Sequence, residues 1–406
     1  MSTFGTYIKV TTAGESHAKG IVAIIDGIPP QLSLSEKDIQ TQLTRRRPGQ
    51  SSITTSRDEK DTVQIICGTE NGYTLGTPIA LLVPNSNVRP VDYKKTNNIP
   101  RPGHADYTYQ IKYGIRASSG GGRSSARETI ARVATGAIVE KWLSERFGIE
   151  IVCWVSSGGD IEMPRGHARW TRDEVDSLGT LTTLDPKSGA DYFCEGVFYK
   201  SDGTITDPVN SKWFTDDIIP VRCPDTPTAV KIAHAVKQVK RERDSMGGTV
   251  TCVCKNVPTG MGEPCFDKME ALLAHAMLSI PATKGFEIGS GFAGTRLRGS
   301  EHNDLFVQKE DGFLKTDTNH AGGTLGGITS GQDIVFSVAV KPVSTIGKAQ
   351  ETLDFEGNPT VLEAKGRHDP YVLPRIIPIV ESMTALVLGD MAMCQLARSA
   401  AILENM

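Results

Sequence analysis

At 406 residues, with 38% hydrophobic and 22% charged side chains, the chain has the composition of a soluble globular protein, which excludes a disordered or fibrous one. A formal net charge of -3 argues against an overall preference for nucleic acid, so any basic patch must be local. The start, MSTFGTYIKVTT, lacks the pattern of a secretory signal, no apolar run approaches bilayer-spanning length, and the eight scattered cysteines, with no CxxC pair, are expected to be reduced thiols of a cytoplasmic protein.

In chain order, YIKVTTA (6–12) and IVAIID (21–26) read as strands around the turn Gly14-Glu15-Ser16-His17, and a helix is expected from Ser35. TRRRPGQSSITTSRDEKD (44–61) reads as a polar loop or hairpin, and 85–109 as a proline-rich loop. Long irregular loops within a compact domain are more often functional than not. A helix is predicted from Ser125, with Ile130, Val133, Ala134, Ala137, Ile138 and Trp142 on one face and Gly148 as its stop, followed by the strand IEIVCWV. A second helix opens at Asp225-Thr226-Pro227 and ends before Gly247-Gly248 and the strand TVTCVCKNV. A third covers about 266–279, a strand follows near 333–341, and a long helix from 373 to 403 closes the chain. Residues 163–218 carry the least pattern and are expected to form a surface insert. Helices alternate with strands, which predicts a mixed α+β fold in a single domain over 1–406.

The candidate chemistry lies in the segments between these elements. GGGRSS (120–125) combines bare backbone with the start of a helix, a guanidinium and two hydroxyls. Both an anion site and a simply capped helix satisfy that pattern. No Gly-Lys-Ser/Thr follows, so it is not a nucleotidase phosphate loop, and GSGFAG (289–294) lacks the strand–turn–helix context of a dinucleotide site and reads as a turn between strands. The arginines at 45–47 form either a solvated charged loop or a contact for a small polyanion; the absence of interleaved aromatics tells against RNA. His17 and His104 stand in polar turns, each near a carboxylate or arginine, whereas His234 and His275 lie on helical patterns and read as structural. With no HExxH spacing, acid–base work is favoured over a metal site. Asp369, before Pro370, is either a helix cap or a positioned base, and NHAGGTLGGITSGQ (319–332) is either a series of turns or a bare wall for a flat ligand.

GESHAKGIVAIIDGIPP, RRRPGQS, RPGHADYTY, GGGRSSARETIARVATG, NHAGGTLGGITSGQ, KPVST and GRHDPYV stand in this order, and together they resemble the chorismate synthases. The resemblance runs from about residue 4 to residue 395 and is weakest over 163–218. It implies a β-α-β sandwich assembled as a homotetramer. It also implies conversion of 5-enolpyruvylshikimate 3-phosphate to chorismate with release of phosphate, using reduced FMN without net redox change. By position it assigns His17 to assist the leaving phosphate, His104 to keep the cofactor correctly protonated, and Asp369 to take part in removing the hydrogen. Arg123, Ser124, Ser125, Ala282, Gly326, Lys341, Pro342, Val343, Ser344, Thr345 and Arg367 fall on its flavin positions. Arg46, Arg101 and Arg127 fall where relatives meet substrate or NADPH. Two departures stand out: Pro281 precedes Ala282 where many bacterial members have Asn, and Ser52 replaces an arginine that many of them carry. Some fungal members reduce their own flavin with NADPH.

Overall fold

The computed structural model describes residues 2–55, 59–85, 98–117, 120–164, 169–208, 214–308, 314–364 and 368–403. Two antiparallel sheets enclose a layer of helices. The first comprises β1 (Thr3–Phe4), β2 (Lys9–Ala13), β3 (Gly20–Asp26), β4 (Gln64–Cys67) and β5 (Ile79–Pro84), in the order β1-β2-β3-β5-β4. The second comprises β6 (Glu150–Gly158), β7 (Ile161–Glu162), β8 (Gly248–Lys255), β9 (Thr283–Ile288) and β10 (Ile334–Val340), in the order β9-β10-β8-β6-β7. In β3 the side chains alternate, with Ile21, Ala23 and Ile25 buried and Val22 and Ile24 exposed, so the sheet turns one face to the helices.

The helices are α1 (Glu36–Arg46), α2 (Asp106–Tyr113), α3 (Thr129–Phe147), α4 (Thr226–Arg241), α5 (Met269–Leu278) and α6 (Leu373–Leu403). At the start of α1 the Asp38 carboxylate accepts the Ser35 N–H at 2.8 Å and its hydroxyl at 2.7 Å. α3 stops at Gly148, whose φ of 68° is left-handed, and Asp225 caps α4 by accepting the Thr228 N–H at 3.0 Å. α3 packs on α6, α1 on both, and α6 covers the inner face of β6, giving the expected β-α-β sandwich. α6 is long and apolar enough to cross a membrane, contrary to the sequence expectation, but 94% of its apolar window is buried within the protein, as a core helix requires.

A buried charge cluster crosses this layer. Glu381, fully buried on α6, accepts from Gln42 at 3.3 Å and from the Cys153 N–H at 3.1 Å and pairs with Arg45 and Arg172. Burial alone would raise its carboxyl, but the charges of Arg172 and Arg45 outweigh burial and hold it below the usual range.

Several expectations change. Arg45 and Arg46 belong to the last turn of α1, because the helical face extends to them and both are buried. The 85–109 loop contains the start of α2; its residues 86–97 lie outside the described part. GSGFAG holds a one-turn helix at Gly291–Gly294, followed by another at Gly299–His302, where a turn was expected. The 163–218 insert has regular structure: a helix at Arg172–Leu178 and a sheet in which Thr180–Leu184 pairs with Tyr192–Cys194 and Phe214–Pro220. Short strands and few alternating residues hid it.

Candidate active site

The glycine turn explains itself through its neighbours. Gly120 adopts a φ of 71°, and a Cβ there would lie 2.8 Å from Ser16 Oγ and 3.4 Å from His17 Nε2. A Cβ on Gly121 would lie 3.3 Å from His104 Nε2. The bare backbone therefore passes between two imidazoles that side chains would push apart. α3 begins only at Thr129, later than expected, since short 3₁₀ turns at Gly122–Ser124 and Ala126–Glu128 intervene. Ser124 Oγ donates to Gly121 O at 2.6 Å, and Ser125 Oγ accepts the Arg127 N–H at 3.3 Å, so the capping reading holds for Ser125. Arg123 donates to Thr12 Oγ1 at 2.6 Å, tying the turn to β2.

His104 is held from behind. Its Nδ1 stands 2.9 Å from Asp106 Oδ1 and 3.2 Å from Arg101 Nη2. A proton on Nδ1, donated to Asp106, leaves Nε2 toward Gly121 and the cavity. Burial would raise the Asp106 carboxyl, yet hydrogen bonds from Arg101 and His104 and their charges hold it far below the usual carboxylate range. The KPVST segment latches this loop: Lys341 Nζ and Ser344 Oγ donate to Gly103 O at 3.0 and 2.7 Å, and Arg101 Nη1 donates to Thr345 Oγ1 at 3.3 Å. Burial, with Lys284 nearby, lowers the Lys341 ammonium from its ordinary value.

Asp369 does not serve as a cap. Its Oδ1 accepts the Thr55 N–H at 2.9 Å and its other oxygen pairs with Arg375, whose Nε donates to Arg46 O at 3.2 Å. Beside it His368 is kept toward the neutral form, by burial first and by Arg101 second, against the opposing charge of Asp369. Thr55, Arg375 and His368 were not anticipated. Thr55 acts through its backbone and Arg375 reaches back from a helix start, and neither leaves a local motif.

His17, His104 and Asp369 all line one cavity of about 900 Å³, with Arg46, Arg101, Arg123, Ser124, Ser125, Ala282, Lys341, Val343, Ser344 and Thr345 also in its wall. Its basic side chains outnumber its acidic ones. Not every expected residue arrives there. Pro342 packs against Gly247, where a Cβ would meet its Cδ at 2.9 Å, and Gly326 forms the open tip of a two-residue hairpin between Leu325 and Ile328; neither lines the cavity. Arg127 is turned away from it, donating to Asp61 at 3.1 Å and pairing with Glu59, while Arg46 reaches the wall with one guanidinium nitrogen on Asp61 at 2.8 Å. Arg367 lies outside the described residues. The volume falls within that of cofactor sites, roughly 300–1,000 Å³, and the bare turn, the hydroxyls of Ser124 and Ser125 and the Lys341 ammonium share its wall. The residues present fit a flavin.

An oriented imidazole, a second imidazole beside the glycine turn and an aimed carboxylate around one basic cavity are the parts of an acid–base enzyme acting on a small molecule. The comparisons place that class in a family. The chorismate synthase family profile matches residues 8–393. The chain is 52% identical to the chorismate synthases of Schizosaccharomyces pombe and Saccharomyces cerevisiae, covering 98% of this chain and of each relative. A crystal structure of a chorismate synthase superposes with a TM-score of 0.67 at 30% identity, covering 97% of this chain and 93% of that one. The chain belongs to the chorismate synthase family and is a lyase, and membership implies a flavin cofactor.

Proposed function

We propose that the chain eliminates phosphate from 5-enolpyruvylshikimate 3-phosphate in the anti-1,4 sense to give chorismate, with reduced FMN in the cavity. The observation that carries this reading is the glycine turn at 120–122, which places His17 and His104 against one wall of the cavity that Asp369 also lines. The reaction breaks a C–O bond at one end of an allylic system and a C–H bond at the other. Phosphate leaves more readily when an acid donates to it, and His17 takes that part. Asp369, held by Thr55 and Arg375 on the cavity wall, takes part in removing the hydrogen. His104, with Asp106 behind its Nδ1, presents Nε2 to the cavity and relays the proton that keeps the cofactor correctly protonated. Reduced FMN, when bound, supplies electron density that weakens the C–O bond. Arg123 and Arg46, on the cavity wall, meet phosphates and carboxylates, Arg101 contributes its positive charge there while its fork holds Asp106, and Arg127 supports Arg46 through their shared Asp61.

NADPH is proposed as the reductant on the likeness to fungal relatives. At Ser52, however, a nucleotide phosphate would face Asp217, to which Ser52 gives its hydroxyl at 2.6 Å. The homotetramer is supported by apolar side chains left exposed on the first sheet, Val22 and Ile24, and on α2, Tyr107 and Ile111. A cytoplasmic location and a single domain over 1–406 complete the reading. The test is anaerobic turnover with FMN and either dithionite or NADPH, in the native protein, His17→Ala and His104→Ala. Each variant should lose roughly a hundredfold or more in turnover while staying folded. Near-normal turnover in either removes the role assigned to it, and NADPH oxidation without chorismate would mark a flavin oxidoreductase instead.

A further inference from the structure

The insert touches the site through one turn. Residues 51–55 have no regular secondary structure, yet the Thr55 N–H must be fixed if it is to aim Asp369. Inside the turn, Thr54 Oγ1 donates to Ser51 O at 2.9 Å and Ile53 is fully buried as an anchor. Outside it, Lys240 of α4 donates to Ser52 O at 2.7 Å and Thr54 O at 3.2 Å. A further restraint comes from the insert strand Phe214–Pro220. Asp217 accepts the Ser52 N–H on Oδ1 at 3.1 Å and the Ser52 hydroxyl on Oδ2 at 2.6 Å. Lys237 pairs with the same Oδ2 at 3.5 Å, so Asp217 is held between the lysine and Ser52. A two-point bond of this kind fixes orientation as well as distance.

We infer that Asp217 is a positioning residue for the elimination: through Ser52 and the 51–55 turn it holds the Thr55 N–H on Asp369. The insert thereby serves the chemistry from outside the cavity, which Asp217 does not line. Asp369 has one oxygen on Arg375 and the other on Thr55, so slackening of the turn frees one side of the carboxylate. Misplacing a reacting group costs rate, not affinity, when the substrate's anionic contacts are made elsewhere.

This inference rests on the role proposed for Asp369, and the experiment separates the two. Turnover and KM for 5-enolpyruvylshikimate 3-phosphate are measured for D217A, S52A, S52T, D369A and D217A/D369A, with folding checked by thermal unfolding. D217A should lower kcat on the order of tenfold with KM within about twofold, and should cost less than about twofold more in the D369A background, because a residue acting through Asp369 has nothing left to aim. S52T, which keeps both donors, should remain near native, and S52A should fall between. Should D217A fail to fold, S52A in the two backgrounds carries the same comparison. An unchanged kcat, a loss confined to KM, or an equal loss with and without Asp369 would overturn the positioning role. Full turnover in D369A alone would instead remove the role of Asp369 and the function of the clamp with it.

Discussion

His104 shows how a single residue becomes a reagent. Arg101 and Asp106 fix its ring from the Nδ1 side, and Gly121 leaves Nε2 uncovered toward the cavity. The Asp106 carboxyl lies far below its ordinary value when folded, so its unfolded form binds the proton more tightly. Its stabilising contribution is therefore complete above about pH 4 and is lost as pH falls through the folded value. Asp106→Asn should unfold at lower urea than the native protein at pH 7, and the gap between the two midpoints should start to narrow only below about pH 4. The same variant should lose about tenfold or more in turnover, because the ring loses its orienting acceptor. Equal urea midpoints across the whole range would remove this account of Asp106.

At the scale of elements, the site depends on how α3 and α6 meet. A Cβ on Gly136 would lie 2.4 Å from Ser382 Cβ and 2.6 Å from its Cα, and one on Gly389 would lie 2.3 Å from Val139 Cγ1. The helices thus cross with α3 backbone against α6 backbone, and the obstruction at Gly136 cannot be relieved by a rotamer. Gly136→Ala should destabilise the fold by about 1–3 kcal/mol in denaturant unfolding, and a neutral result would show that the crossing yields. Much of this layer was legible: the apolar face of α3, the Asp225 cap and the run of α6 follow from periodicity and capping chemistry. The end of α1 was not, because buried arginines look like a solvated run until Glu381 and Asp61 are seen to pair with them. The insert escaped for a similar reason, its strands being too short to show a period.

For the whole molecule, the two imidazoles and Asp369 were legible only as isolated motifs, and the fold brings segments from both ends of the chain to one cavity. What aims them was not legible, since the Thr55 N–H and the Arg375 guanidinium carry no signature of their own. Gly326 and Pro342 show the converse, matching a family position without lining the cavity in this chain. The protein is a lyase, and in the proposed elimination the flavin would be left with no net change of oxidation state. The most direct measurement is the stoichiometry of the anaerobic reaction with pre-reduced FMN, following phosphate, chorismate and reductant together. Phosphate and chorismate should appear in equal amounts over many turnovers with no further reductant consumed. Chorismate formed only mole for mole with oxidised reductant would contradict it.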